Sequence, residues 1–445
     1  MDPGLLELIA AGRPDDEVSV IVRLQPGQAP PRQLRLVAHF GDVATGRALR
    51  GTLGAIHGHP AVASLKAPRV YAGEAGPVFA DRPPPVEPGL SEADPSPVDS
   101  DVRRPEALAE TGRGTVVAVI DWGVDFAHPD FRDAKGRTRL LAIWDQRAQG
   151  RPAPYGYGRI YSRAAINRAL AETDPFAALD YIPSASSAPS HGTHVLGIAA
   201  GNGRAGGPSG IAPEADLIFV HLGPGLGDLG NSIDLLEAID FIIRSVGDKP
   251  VAINMSIGRH AGPHDGTLLI ERAIDWLIVN RPGTVVVQST GNYYSRNVHM
   301  EGRLREARTA KLPFNLPRSD THTATVELWY KGADRFVAQA IGPDGSTVSA
   351  EPGTSAPLLD AQGQELARVY HRLSDPNNGD NLIALVLRPM APAGDWSLEI
   401  SGTDVVDGRW HAWIERNAAC PKCQAMFQPN RASRKTTTGS ICNAM

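Results

Sequence analysis

The sequence predicts an α/β protein built on a parallel sheet flanked by helices, with a small α/β domain before it and a β-sandwich after it. Three observations carry that expectation. Residues 115–120 (TVVAVI) form a near-continuous β-branched run, of the kind that makes a strand buried on both faces. Between this run and residue 292, further apolar runs alternate with helical patterns, the order that builds a parallel sheet. Beyond residue 292 the chain breaks into short alternating stretches separated by Gly, Pro and Asp turns such as Pro343-Asp344-Gly345, which is how a sandwich reads.

Taken in order, residues 1–75 read as a small α/β domain. Residues 17–24 (EVSVIVRL) alternate as a strand, 47–57 (RALRGTLGAIH) carry a helical pattern and 61–65 a returning strand. A Pro-rich linker is expected over 76–104, with Pro77, Pro83, Pro84, Pro85, Pro88, Pro95 and Pro97. The core is expected over 105–318. Within it, residues 135–189 read as an insertion over the cleft edge, with a strand at 139–145 and a helix at 162–172. Residues 231–246, capped at Asn231 or Ser232, and 267–279 read as helices of the core. The sandwich is expected over 319–418, with strands at 323–330, 335–341, 382–387, 396–400 and 410–415, and 419–445 as a tail leading back to the core.

Chemistry concentrates in two places. Residues 190–201 (SHGTHVLGIAAG) have no charged side chain from Val195 onward, so they read as a helix buried on all sides. Ser190 is placed to cap it, leaving His191 at its mouth. A core helix that merely begins with histidines fits the same residues. A zinc site fits less well, because His191 and His194 lack the intervening Glu of H-E-x-x-H. The second place is Asp121-Trp122-Gly123, where the TVVAVI strand ends in a carboxylate at the edge on which open α/β sheets carry their chemistry.

With Phe126-Ala127-His128-Pro129-Asp130-Phe131 following Asp121, these blocks resemble the subtilisin-like serine proteases, in which Asp, His and Ser blocks occur in that order. The resemblance implies that Asp121 orients His191 and that His191 is the general base, roles worked out on that family. Residues 251–258 (VAINMSIG) are similar to its substrate-pairing strand, with Ser256, Ile257 and Gly258 lining the specificity pocket, and 284–292 (TVVVQSTGN) to the strand ending in the oxyanion-hole asparagine, here Asn292. An isolated Gly-Asn would otherwise be an ordinary turn. The family's Gly-Thr-Ser block at the head of a buried helix is not found. Its partial match, Gly353-Thr354-Ser355-Ala356-Pro357, precedes a polar, Gly-broken stretch and reads as a sandwich loop. Residues 436–445 are similar to the approach to the family's next core strand, so a truncated or inactive chain is expected, with a non-catalytic peptide-binding relative as the alternative.

Residues 16–71 resemble the family's inhibitory propeptide, although a generic ferredoxin-like module fits them too. The sandwich resembles the jelly-roll that one bacterial branch inserts after the oxyanion asparagine; standing alone, such a module could equally bind carbohydrate or protein. Residues 201–210 are too short for the family's calcium loop, so no metal and no cofactor is expected.

A net charge of −5 with mixed signs offers no electrostatic case for nucleic acid or a membrane surface; the expected partner is a peptide or protein substrate. The first residues lack a basic segment followed by an apolar one, and no apolar run approaches a membrane span, so a cytoplasmic location is expected, with export by another route left open. Cys420, Cys423 and Cys442 are too few for a disulfide framework. Cys420-Pro-Lys-Cys423 has the spacing of half a zinc site or a redox pair, but without a second ligand pair unpaired thiols are expected.

Overall fold

The computed structural model describes residues 1–69, 72–73, 104–105, 107–183, 190–223, 230–291, 296–317, 323–416 and 424–433. Apart from Arg104, the Pro-rich segment lies outside them, as do the three cysteines. Among the described residues no helix is long and apolar enough to cross a membrane.

The chain opens with α1 (Pro3–Ala10), β1 (Glu17–Leu24), β2 (Arg35–Phe40), β3 (Val43–Leu49), α2 (Leu53–His57), β4 (Val62–Lys66) and β5 (Ala72–Gly73). The strands β2-β3-β1-β4 form an antiparallel sheet. The helical pattern read over 47–57 is corrected here. Residues 43–49 are a strand between β1 and β2, buried at every position but the last, and only 53–57 are α-helical. Ala, Arg and Leu favour helix, but pairing on both edges overrides that preference.

The core follows: β6 (Val116–Asp121), β7 (Leu140–Asp145), β8 (Arg159–Ser162), α3 (Arg163–Ala169), α4 (Pro175–Leu179), α5 (His191–Ala200), β9 (Asp216–His221), α6 (Ser232–Val246), β10 (Val251–Met255), β11 (Ile257–Gly258), α7 (Leu269–Asn280) and β12 (Thr284–Gln288). Six strands join in the order β12-β10-β6-β9-β7-β8, parallel except for the β7–β8 pair. The strand expected at 139–145 therefore belongs to the central sheet and does not lie over a cleft edge. Every residue of β6 is buried, which is why its sequence is uninterruptedly apolar until Asp121. At α6, Asn231 Oδ1 accepts from the Ile233 and Asp234 amides while Asp234 Oδ2 accepts from the Asn231 amide, a complete capping box.

The sandwich consists of β13 (His299–Arg303), β14 (Thr309–Leu316), β15 (Ala324–Tyr330), β16 (Arg335–Ile341), β17 (Thr347–Ala350), β18 (Ser355–Leu359), β19 (Glu365–Arg372), β20 (Asn381–Leu387), β21 (Gly394–Asp404), β22 (Arg409–Ile414) and β23 (Met426–Phe427). They form antiparallel sheets ordered β13-β22-β15-β20-β19-β18 and β17-β16-β21-β14-β23. Phe314, Phe336, Trp396 and Leu398 of one sheet share a core with Val326, Leu328, Leu385 and Ile414 of the other. The sandwich thus begins at His299, ahead of the boundary expected at 319, and takes in β23 of the expected tail.

Two compact units result, Met1–Ala72 with Ile257–Ile274 and Ser289–Met445, and Gly73–Ser256 with Asp275–Gln288; one boundary falls inside α7. In the first unit, Lys66 joins Asp2 at 3.1 Å and Asp375 at 2.6 Å, tying the N-terminal sheet to the sandwich. In the second, the buried Arg139 donates to the carbonyls of Asp130 (3.0 Å), Ala200 (2.7 Å) and Ala215 (2.8 Å), pinning the C-terminal end of α5. Arg139→Ala strands these acceptors, each at about 1–3 kcal/mol. The expected result is a loss of about 3 kcal/mol in denaturant unfolding, and a loss below 1 kcal/mol would show that water replaces the guanidinium.

Candidate active site

The site is assembled where β6 ends and α5 begins. β6 lies between β10 and β9, so Asp121 at its carboxyl end is enclosed from both sides, and its side chain is fully buried. The chain then turns through Gly123 at φ +69°, where an added Cβ would lie 1.5 Å from the Pro183 carbonyl oxygen. Gly192 matches it on the helix side, since a Cβ there would meet Gly123 O at 2.4 Å and the Phe219 ring at 2.5 Å. Two glycines therefore permit the close approach of β6 and α5, and the Gly192 amide donates to Trp122 O across it at 3.2 Å.

His191 Nδ1 lies 2.7 Å from Asp121 Oδ1, which also accepts from the Trp122 amide at 2.6 Å. Burial pushes the Asp121 carboxyl up, and the hydrogen bonds from His191 and Trp122 oppose that without cancelling it. Oδ2 is buried without a hydrogen-bond partner, so the carboxylate's interaction is focused on the ring. His191 is 32% exposed at its side chain, with Nδ1 held by the buried carboxylate. The arrangement suits an imidazole that takes a proton at Nε2 and is stabilised as a cation through Nδ1.

Ser190 occupies the N-cap position without a side-chain bond to the helix backbone; its hydroxyl pairs with Thr193 Oγ1, which accepts from the Asp125 amide at 2.7 Å. The expected capping is thus corrected to a hydroxyl relay that fastens the loop after β6. The expected all-round burial of α5 is corrected too. Gly192, Leu196 and Ala200 are buried, whereas His194 is exposed and Ile198 is 42% exposed.

Sequence reasoning missed a supporting layer. Tyr181 OH accepts from the Val124 amide at 3.0 Å and lies 3.0 Å from Nδ1 of the buried His221, the residue paired with Asp121 in the sheet. Burial drives the His221 ring well below its ordinary range, so it stays neutral beside the Tyr181 hydroxyl. A buried hydroxyl has no periodic signature; the only local signal was a histidine closing a strand that is apolar from Leu217 to Val220.

The remaining expected residues are distributed as follows. Ser256 follows β10, and its Oγ accepts from Asn254 Nδ2 at 3.1 Å. Ile257 and Gly258, both buried, form β11, which pairs with β5 in a two-stranded sheet; Ala72 and both residues of β11 belong to one unit. Asn292 lies outside the described residues.

The profile described as the subtilase family matches residues 112–313, the stretch that carries Asp121 and His191. Over that stretch, which is less than half of its length, the chain is similar to the subtilase family. Among curated proteins, the chain is 30% identical over 186 residues to the minor extracellular protease Vpr of Bacillus subtilis, covering 42% of this chain and 18% of that one. It is 33% identical over 201 residues to an extracellular protease of Xanthomonas campestris, covering 42% and 31%. The match spans less than a third of either relative's length. The solved CspB protease of Clostridium perfringens superposes with a TM-score of 0.61 at 22% identity, over 74% of this chain and 66% of that one, and shows the shared subtilisin-like fold.

A proton bridging Asp121 and His191 has a spectroscopic consequence. The His191 Nδ1 proton is expected to resonate far downfield of the amide region and to vanish in both Asp121→Ala and His191→Ala. A downfield signal that survives Asp121→Ala would break the assignment.

Proposed function

We propose that this chain carries the acid–base half of a subtilisin-type serine endopeptidase. His191 acts as general base on the attacking hydroxyl, Asp121 holds its tautomer, Asn292 donates to the oxyanion, and Ser256, Ile257 and Gly258 line the substrate backbone. The observation that carries this reading is the 2.7 Å contact between the fully buried Asp121 and His191. In the reaction, the nucleophile's proton moves to Nε2 as its oxygen attacks the peptide carbonyl, and the same proton is returned to the departing amine.

The antiparallel sandwich is read as a jelly-roll insertion. Residues 1–75 are read as an inhibitory propeptide, supported by β5 adding to β11 through its backbone, the mode in which an extended peptide binds a strand edge. The same pairing favours a second reading, a non-catalytic relative that binds peptides along β11.

The test is peptide hydrolysis by the polypeptide as its source cell makes it. Turnover that is blocked by a serine-directed phosphonate and lost in His191→Ala supports the endopeptidase. Absent turnover, with peptide binding that persists in His191→Ala, supports the binding protein.

A further inference from the structure

On the outer face of β13 and β22, away from Asp121 in sequence and chemistry, three metal-binding side chains converge. β13 and β22 pair antiparallel with Glu301 opposite His411 and His299 opposite Trp413. His299 and Glu301 are two residues apart on one strand and therefore share a face, and the cross-strand register brings His411 to the same face. One donor atom from each of His299, Glu301 and His411 lies within 4.8 Å of the other two.

We propose that His299, Glu301 and His411 bind a divalent transition-metal ion of zinc's class. The distances fit that reading. His299 Nε2 and His411 Nδ1 are 3.2 Å apart. Two imidazole nitrogens held at about 2.0–2.1 Å from a tetrahedral ion are separated by about 3.3 Å. Glu301 Oε2 lies 3.8 Å from His411 Nδ1, so a movement of about half an ångström brings the carboxylate to bonding distance. Two imidazoles and one carboxylate suit zinc, cobalt, nickel or copper; calcium and magnesium favour all-oxygen shells.

The surroundings hold the donors in place. His299 is 1% exposed, and its ring lies against Trp413 with centroids 4.9 Å apart. His411 stacks on the same indole at 5.5 Å, and His264 stacks on it at 4.2 Å. Ser433 donates its hydroxyl to Glu301 Oε1 at 3.3 Å and its amide to the His299 carbonyl at 2.9 Å, fixing both ligands of β13 from a separate segment. The His411 and Glu301 side chains are 46% and 30% exposed, which gives the ion an entry path and leaves room for water as a further ligand.

Without a metal, the two rings face each other as an ordinary hydrogen bond, one nitrogen donating and the other accepting. Titration separates the two states. The full chain, reduced and stripped with a chelator, is titrated with Zn²⁺ by calorimetry and with Co²⁺ by visible absorption. The expected result is one equivalent of each, with ligand-field bands for Co²⁺. Because His411 and Glu301 are partly exposed, His411→Ala and Glu301→Gln should leave the circular dichroism spectrum unchanged. His411→Ala should weaken binding by more than the roughly 10–100-fold cost of disturbing an outer-shell partner, with Glu301→Gln losing less. Failure of the wild type to take up either ion overturns the proposal. So does uptake that is undiminished in the double variant, as metal held by the cysteines would be.

Discussion

Residues 1–445, incubated with a serine-directed phosphonate, are expected to remain unlabelled and to hydrolyse peptides about 10⁶-fold more slowly than an active subtilisin, the loss known for subtilisin itself when its serine or histidine is removed. A base without an activated hydroxyl forms no acyl-enzyme. What remains is about 10³–10⁴ over water, from oxyanion stabilisation and binding. Ser355, the one residue in a partial nucleophile motif, opens β18 and pairs with Tyr370 in an antiparallel ladder. That corrects the expected loop and denies the hydroxyl the helix N-terminus its motif would need. Mass spectrometry of the treated chain checks the result. Stoichiometric adduct on Ser355, lost in both Ser355→Ala and His191→Ala, would make this chain a complete enzyme with an unorthodox nucleophile.

Lys66→Met is expected to destabilise the first unit by about 3 kcal/mol or more, read from the denaturant midpoint. The ammonium is held between Asp2 and Asp375, and both carboxylates are almost wholly buried. Burial alone pushes the Asp2 carboxyl up; Lys66, Arg69 and Arg372 more than reverse this and leave it well below the usual range. Asp375 is depressed in the same way by Lys66 and Arg372. A methionine fills the volume but leaves the carboxylates facing one fewer cation. The pH dependence has a definite sign. Carboxyls depressed in the folded state contribute stability that is complete above the ordinary value near 3.8 and is lost as pH falls below it. The wild type should therefore lose stability below about pH 4, and Lys66→Met should lose less over that window because its carboxylates are less depressed. Equal acid slopes in the two proteins would remove Lys66 from the account.

Local pattern was legible where each strand or helix carried its own signal. β1 and β16 are bounded as their alternation predicts, and α6 begins at the asparagine that caps it. β13 and β14 were not legible. The first is a polar HMEGR, and the second contains Pro313, which argues against a strand when read alone. Both are strands because β22 and β21 supply the partners. At the candidate site, Asp121 and His191 were legible because each stands at the end of a strongly patterned element. Tyr181 and His221 were not, because their roles depend on a meeting across 40 residues of chain.

The sequence by itself determined the order of elements, the apolar run that buries β6, and the placement of Asp121 and His191 at element ends. These follow from backbone preference and hydrophobic period, which act within a few residues. Only the tertiary structure decided that β7 enters the central sheet, that residues 43–49 are a strand, that β5 pairs with β11, and that His299, Glu301 and His411 share a face. Each of these depends on which edge or ring lies opposite, and hydrogen-bond pairing and burial between distant residues leave no periodic trace in the chain.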